Sequence, residues 1–139
     1  MKKLFTLLTF SSLLLGHQAL ACSCQEWSSA AEMVTQFDAV FLAIPETDSI
    51  VVSQDESETT ISTKFSVVRS YKDASVKEVS ILSWKDTGGN CGVDMKKDDG
   101  LYVIFAYKNA DGKFEMNSCT VSGVSADYGL DFLRELNKL

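Results

Sequence analysis

The residues with the most chemical potential are the four cysteines, and two of them lie close together near the start of the chain. Cys22 and Cys24 form a C-x-C motif, whereas Cys91 and Cys119 are isolated further along, and the only histidine, His17, precedes the motif. Cysteines in these positions can form disulfides, bind a metal or act as nucleophiles. Which of these uses applies depends on the part of the chain that is retained and on the residues around it.

Residues 1–21 have the pattern of a secretory signal peptide. Two lysines precede an apolar run over residues 4–15, and an A-x-A cleavage motif ends at Ala21. The run is too short for a membrane-spanning helix. We therefore expect cleavage after Ala21, a single mature domain of residues 22–139, and a secreted or periplasmic location.

Cleavage would remove His17, and the composition of the remaining chain then excludes several classes of function. Without histidine there is no Ser-His-Asp or Cys-His catalytic set and no imidazole ligand for a metal. We therefore predict a protein that is not an enzyme, with no catalytic residue and no cofactor. Eleven Lys and Arg against nineteen Asp and Glu leave a charge of −8, which argues against nucleic acids and anionic membrane surfaces as partners.

An even number of cysteines in an exported chain predicts two disulfides. A Cys22–Cys24 bond would close a small strained ring, and the two pairings that join these residues to Cys91 and Cys119 remain open. Two other uses rank lower. C-x-C with two distant single cysteines matches the paired spacing of structural zinc sites poorly. Acylation of Cys22 lacks the leucine expected three residues before it.

Apolar periodicity predicts a small β domain with a helix at each end. Ser29 and Glu32 form a capping box at the start of the first helix, and the second covers residues 125–139. Strand patterns occur at residues 39–44, 59–71, 76–84, 101–107 and 113–119. Five short antiparallel strands favour a closed OB-like barrel over an open sandwich, because closure removes exposed strand edges. The acidic residues 46–60 predict an exposed hairpin loop or a twisted strand extension.

Six short motifs together resemble a known family over about residues 22–122. They are Cys22-Ser23-Cys24, Asp38-Ala39-Val40-Phe41-Leu42-Ala43, Phe65-Ser66-Val67-Val68-Arg69-Ser70-Tyr71-Lys72, Cys91-Gly92, Gly100-Leu101-Tyr102 and Cys119. In order and spacing they resemble the N-terminal inhibitory domain of the tissue inhibitors of metalloproteinases, and more broadly the netrin-like domain. The resemblance implies a five-stranded OB-like barrel with the disulfides Cys22–Cys91 and Cys24–Cys119. The chain has no cysteine left for the third disulfide usual in that family.

The resemblance also implies a function for the mature N-terminus. The α-amino nitrogen and carbonyl oxygen of Cys22 would chelate the catalytic zinc of a metalloprotease and displace the water that the zinc activates. The side chain of Ser23 would enter the adjacent specificity pocket. Cys24 and the loop residues Asn90, Cys91 and Gly92 would extend the contact. The only metal contact expected is with the zinc of the target protease.

The alternative function is a non-inhibitory binding module, because a fold does not fix a function. The two disulfides would then only secure the small barrel. Recognition of another extracytoplasmic protein or ligand would fall to the acidic residues 46–60 or to a face of the barrel.

Overall fold

A computed structural model of the protein describes residues 22–24, 29–73, 76–124 and 127–139, and for residues 127 and 128 only the backbone. The predicted signal segment lies outside the described residues. The elements in chain order are α1 (Ala30–Gln36), β1 (Ala39–Pro45), β2 (Ile50–Gln54), β3 (Thr59–Lys72), β4 (Glu78–Trp84), β5 (Tyr102–Lys108), β6 (Phe114–Glu115), β7 (Val121–Gly123) and α2 (Asp127–Leu136). Among these residues, neither helix is long and apolar enough to cross a membrane.

Five of the strands form a closed ring in the order β1-β3-β4-β6-β5, and β5 pairs with β1 again to complete it. The predicted mainly β barrel with a short helix before it and a helix after it is confirmed. The prediction that all five strands are antiparallel is wrong, because β4 and β6 pair in parallel. The reason is geometric. A ring with an odd number of strands cannot alternate direction at every pair, so one pair must be parallel.

Two short strands lie outside the ring, and neither was predicted as a separate strand. β2 falls inside residues 46–60 and pairs with β3, so this acidic segment contains a strand extension. The strand predicted at residues 113–119 is limited to β6. It ends there because Asn117 starts a turn, in which its side-chain oxygen accepts a hydrogen bond from the Cys119 amide at 2.9 Å. The chain then resumes as β7 beside β5.

Both faces of β1 are buried, because residues 39–44 form a continuous apolar run. Ala39, Phe41 and Ala43 belong to a buried cluster inside the barrel. Val40 and Leu42 point the other way, into a second cluster shared with the two helices. Alternate residues of a strand face opposite sides, so one strand joins the barrel interior to the layer beneath the helices.

The helices pack against each other as well as on the barrel. Ser29 caps α1, since its hydroxyl oxygen accepts a hydrogen bond from the Glu32 amide at 3.2 Å. The Ala30 amide donates to the Glu135 carboxylate of α2 at 2.7 Å. Leu136 of α2 is buried against the barrel, whereas Leu130 of the same helix is exposed. The last turn of α2 therefore contributes a side chain to the core, whereas Leu130 faces solvent.

Candidate functional site

The tripeptide of residues 22–24, which the predicted cleavage would place at the N-terminus, is joined to two separate parts of the barrel. Cys22 is bonded to Cys91 and Cys24 to Cys119, with Cα–Cα distances of 5.2 Å in both. This is the pairing that the resemblance implies. We call the surface formed by residues 22–24, the loop 88–92 and the turn 117–120 the disulfide edge. Two disulfides indicate an oxidising, extracytoplasmic environment.

The two disulfides of this edge are in contact with each other. The Cys22 sulfur lies 3.6 Å from the Cys119 sulfur and 3.5 Å from the Ser118 hydroxyl. The Ser118 amide donates a hydrogen bond to the Cys91 carbonyl at 2.9 Å, which joins the turn to the loop. Residues distant in sequence therefore fix the tripeptide from two directions.

Asn90 and Gly92 determine where the loop presents Cys91. The Asn90 side-chain oxygen accepts hydrogen bonds from the amides of Thr87 and Gly92, both at 3.2 Å, and its amide group donates to the Lys85 carbonyl at 2.9 Å. A Cβ atom on Gly92 would lie 2.4 Å from the Trp84 carbonyl oxygen. Such a distance is far inside van der Waals contact, so this close approach requires glycine.

The predicted contact residues differ in what they can offer to a partner. Ser23, Cys24 and Asn90 are exposed, Cys22 and Cys91 are half-buried, and Gly92 is buried. Five of the six are therefore accessible at least in part, whereas Gly92 acts as a support for the loop. Ser23 lies between two bonded cysteines with its side chain accessible to solvent.

The sulfur atoms of this edge do not form a metal site. Those of Cys22, Cys24 and Cys119 lie within 4.8 Å of one another. All four cysteines are in disulfides, however, and a disulfide sulfur lacks the thiolate charge that a metal requires. The hypothesis of a four-thiolate site therefore does not fit this protein. A thioether-linked lipid on the Cys22 sulfur would likewise exclude its bond to Cys91.

Two features in or beside the disulfide edge were not predicted from the sequence. One is Ser118, whose position depends on the turn begun by Asn117; asparagine is a common turn residue and was the available signal. The other is the tip between β2 and β3, which lines a depression of about 300 Å³ together with Asn90. In this tip, hydrogen bonds from the Glu58 and Ser57 amides lower the pKa of the Asp55 carboxyl below its usual value. No local signal could place this tip beside the loop.

Neither a protein-family model nor a curated protein sequence matches the chain. The structure agrees with the resemblance at a coarser level, that of a closed five-stranded β-barrel with two disulfides.

Proposed function

We propose that this protein is an exported inhibitor of a zinc metalloprotease and acts through the α-amino and carbonyl groups of Cys22. The observation that carries the proposal is the bonding of Cys22 and Cys24 to the barrel on either side of the exposed Ser23. The resemblance of the C-x-C motif and of the downstream landmarks to the metalloproteinase inhibitors supports it. Cleavage after Ala21, as the sequence predicts, would release the amine.

The chemistry needs only the backbone of one residue. An α-amino group has a pKa of about 7.7–8.0, so a usable neutral fraction exists near neutral pH. The neutral nitrogen and the carbonyl oxygen of Cys22 would bind the protease zinc in place of its activated water. The inhibitor itself then supplies no catalytic group and no cofactor, and its partner is the protease.

The rigidity of the disulfide edge supports inhibition over cleavage. A substrate must bend so that its scissile bond meets the attacking water, whereas Ser23 is held by a bonded cysteine on each side. The packing of the Cys22 sulfur at 3.6 Å from the Cys119 sulfur reduces this freedom further. A chelate ordered before binding loses less conformational entropy on association.

The test compares the mature protein beginning at Cys22 with a variant that has one additional alanine before it. Across several zinc metalloproteases, we expect inhibition by the first and at least a tenfold weaker effect from the second, about 1.4 kcal/mol. Equal thermal unfolding and two intact disulfides in both proteins provide the control. Equal inhibition by both proteins, or none by either, would contradict the proposal.

The second candidate is the non-inhibitory binding module, and one surface feature favours it. An open groove of about 570 Å³ runs across the outer face of β2, β3 and β4, with Val52, Ser62, Leu82 and Phe114 among its lining residues. A ligand bound there would be unaffected by the additional alanine at the N-terminus. Partner binding that depends on the groove and not on the Cys22 amine would therefore favour this function.

A further inference from the structure

The two disulfides of the disulfide edge are close enough to react with each other. The Cys22 sulfur lies 3.6 Å from the Cys119 sulfur, which is van der Waals contact for two sulfur atoms. A thiolate breaks a disulfide by bonding to one of its sulfurs and displacing the other. A thiolate released from one of these bonds would therefore already be in contact with the other bond.

Accessibility selects the sulfur at which a reaction from solvent begins. Cys24 is exposed, whereas Cys22, Cys91 and Cys119 are half-buried. Exchange depends on access to the attacked sulfur, and exposed disulfides are the labile ones. A small thiolate should therefore bond to Cys24, and Cys119 then leaves as a thiolate.

The arrangement of the four sulfurs favours a second attack, by Cys119 on Cys22. A thiolate approaches a disulfide sulfur from the side opposite the sulfur that leaves. The Cys91 sulfur is bonded to Cys22 but does not belong to the group of three sulfurs within 4.8 Å of one another, so it lies on the side of Cys22 away from Cys119. In the reverse attack, by Cys22 on Cys119, the leaving Cys24 sulfur belongs to that group and is not opposite.

Backbone hydrogen bonds keep both partners in place during such an exchange. The Ser118 amide donates to the Cys91 carbonyl at 2.9 Å, and the Cys119 amide donates to the Asn117 side chain at 2.9 Å. Neither hydrogen bond involves a sulfur atom. The loop 88–92 and the turn 117–120 therefore remain joined when a disulfide opens, and Cys22 has only a short distance to move.

We propose that Cys24 is a modification site for small monothiols and that its modification transfers Cys22 from Cys91 to Cys119. In the first step the thiolate bonds to Cys24, and the electron pair of the Cys24–Cys119 bond stays on Cys119. In the second step Cys119 bonds to Cys22, and the electron pair of the Cys22–Cys91 bond stays on Cys91. Cys91 then displaces the monothiol from Cys24, so the thiolate is regenerated and nothing is oxidised or reduced overall.

The exchange also has a consequence that rests on the proposed inhibition. Cys22 would be bonded to the turn 117–120 and no longer to the loop 88–92, so its amine and carbonyl would leave the position ordered for chelation. We expect the exchanged protein to inhibit at least about tenfold more weakly. Exposure to a monothiol would thus inactivate the inhibitor.

Disulfide mapping of the exported protein tests the exchange without any protease. The protein is incubated with reduced glutathione at mildly alkaline pH, at which part of the thiol is ionised. Samples are alkylated at intervals, and tandem mass spectrometry with cleavage between Cys22 and Cys24 assigns each partner. We expect glutathione on Cys24 first, then a Cys22–Cys119 bond with Cys91 alkylated or bonded to Cys24. The rate of the transfer should not depend on protein concentration, because the step is intramolecular.

Two matched variants separate transfer from direct reduction. Cys24→Ala with Cys119→Ala lacks the attacking thiolate, so its Cys22–Cys91 bond should open at least about tenfold more slowly than in the wild type. Cys22→Ala with Cys91→Ala lacks the bond that is attacked, and Cys24 should react at the wild-type rate. Circular dichroism verifies that each variant is folded, and the mapping of the wild type decides the question without them.

Several results would overturn the proposal. They are glutathione on Cys22 or Cys91 before Cys24, loss of the Cys24–Cys119 bond while Cys22–Cys91 stays intact, or no reaction of the folded protein under conditions that modify it in urea. Unchanged inhibition after complete exchange would overturn the inactivation. A protein that exchanges as expected but inhibits no protease would contradict the proposed inhibition and support the exchange.

Discussion

At the scale of single residues, the position of the disulfide edge depends on a glycine and not on a charged or reactive group. Gly92 lies where any side chain would meet the Trp84 and Lys85 backbone. The preceding residue, Cys91, is disulfide-bonded to Cys22. The sequence motif Cys91-Gly92 therefore has a packing reason that local analysis could not supply, because Trp84 belongs to the preceding strand.

We predict that Gly92→Ala destabilises the protein by about 1–3 kcal/mol, the usual cost of overpacking. A Cβ atom at 2.4 Å from the Trp84 carbonyl oxygen forces the loop to move. Urea unfolding monitored by tryptophan fluorescence measures the effect. Gly89→Ala is the control, since its Cβ would meet nothing within 4 Å. Equal free energies of unfolding for the two variants would contradict the prediction, because the loop could then move without loss of stability.

At the scale of elements, intrinsic propensity and packing disagree in α2. Gly129 should weaken a helix, and the sequence alone supports only that interpretation. In the fold, its Cβ position lies 2.1 Å from the Gly123 carbonyl oxygen of β7. Glycine at this position thus allows the helix to approach the strand closely, at some loss of helix propensity.

For Gly129→Ala, we predict a loss of stability instead of the usual gain. Alanine improves helix propensity by about 1 kcal/mol, but the clash with Gly123 costs more because a backbone carbonyl cannot rotate away. Thermal unfolding followed by circular dichroism measures the sign. A variant more stable than the wild type would contradict the prediction, because α2 could then shift along β7 without loss of stability.

The elements predicted correctly are those whose signal is local. The strand pattern at residues 59–71 correctly predicted β3, in which Ile61 and Phe65 are buried on one face because side chains alternate along a strand. The shortness of β6 and the separation of β7 were missed because the turn at Asn117 interrupts an otherwise suitable strand pattern. β2 was only partly predicted, because its exposed residues give no alternation between buried and solvated positions.

At the scale of the whole molecule, two disulfides tie residues 22–24 to a closed five-stranded ring. Apolar periodicity predicted the ring. Cysteine spacing left two disulfide pairings possible, and the family resemblance implied the one that is observed. The contact between the two disulfides depends on residues far apart in sequence, and so does the position of the β2–β3 tip beside Asn90. Those parts of the site could not be obtained from spacing.

We predict that replacing both Cys24 and Cys119 with alanine lowers the free energy of unfolding by about 2–5 kcal/mol. The bond closes a loop with a sequence separation of 95, and its loss increases the freedom of the unfolded chain. Urea unfolding under oxidising conditions measures the change, and the paired substitution avoids leaving a free thiol. A change within about 0.5 kcal/mol, typical of neutral surface positions, would contradict the prediction.

The same two bonds determine what happens if the backbone is hydrolysed. Both cysteines of the tripeptide precede any cut between Cys24 and Cys91, and both of their partners follow it. A single cut in this long interval therefore adds one water molecule but releases no fragment until the protein is reduced. A protease that nicks this domain would still face the same tripeptide 22–24, attached by two disulfides to the part of the chain that follows the cut.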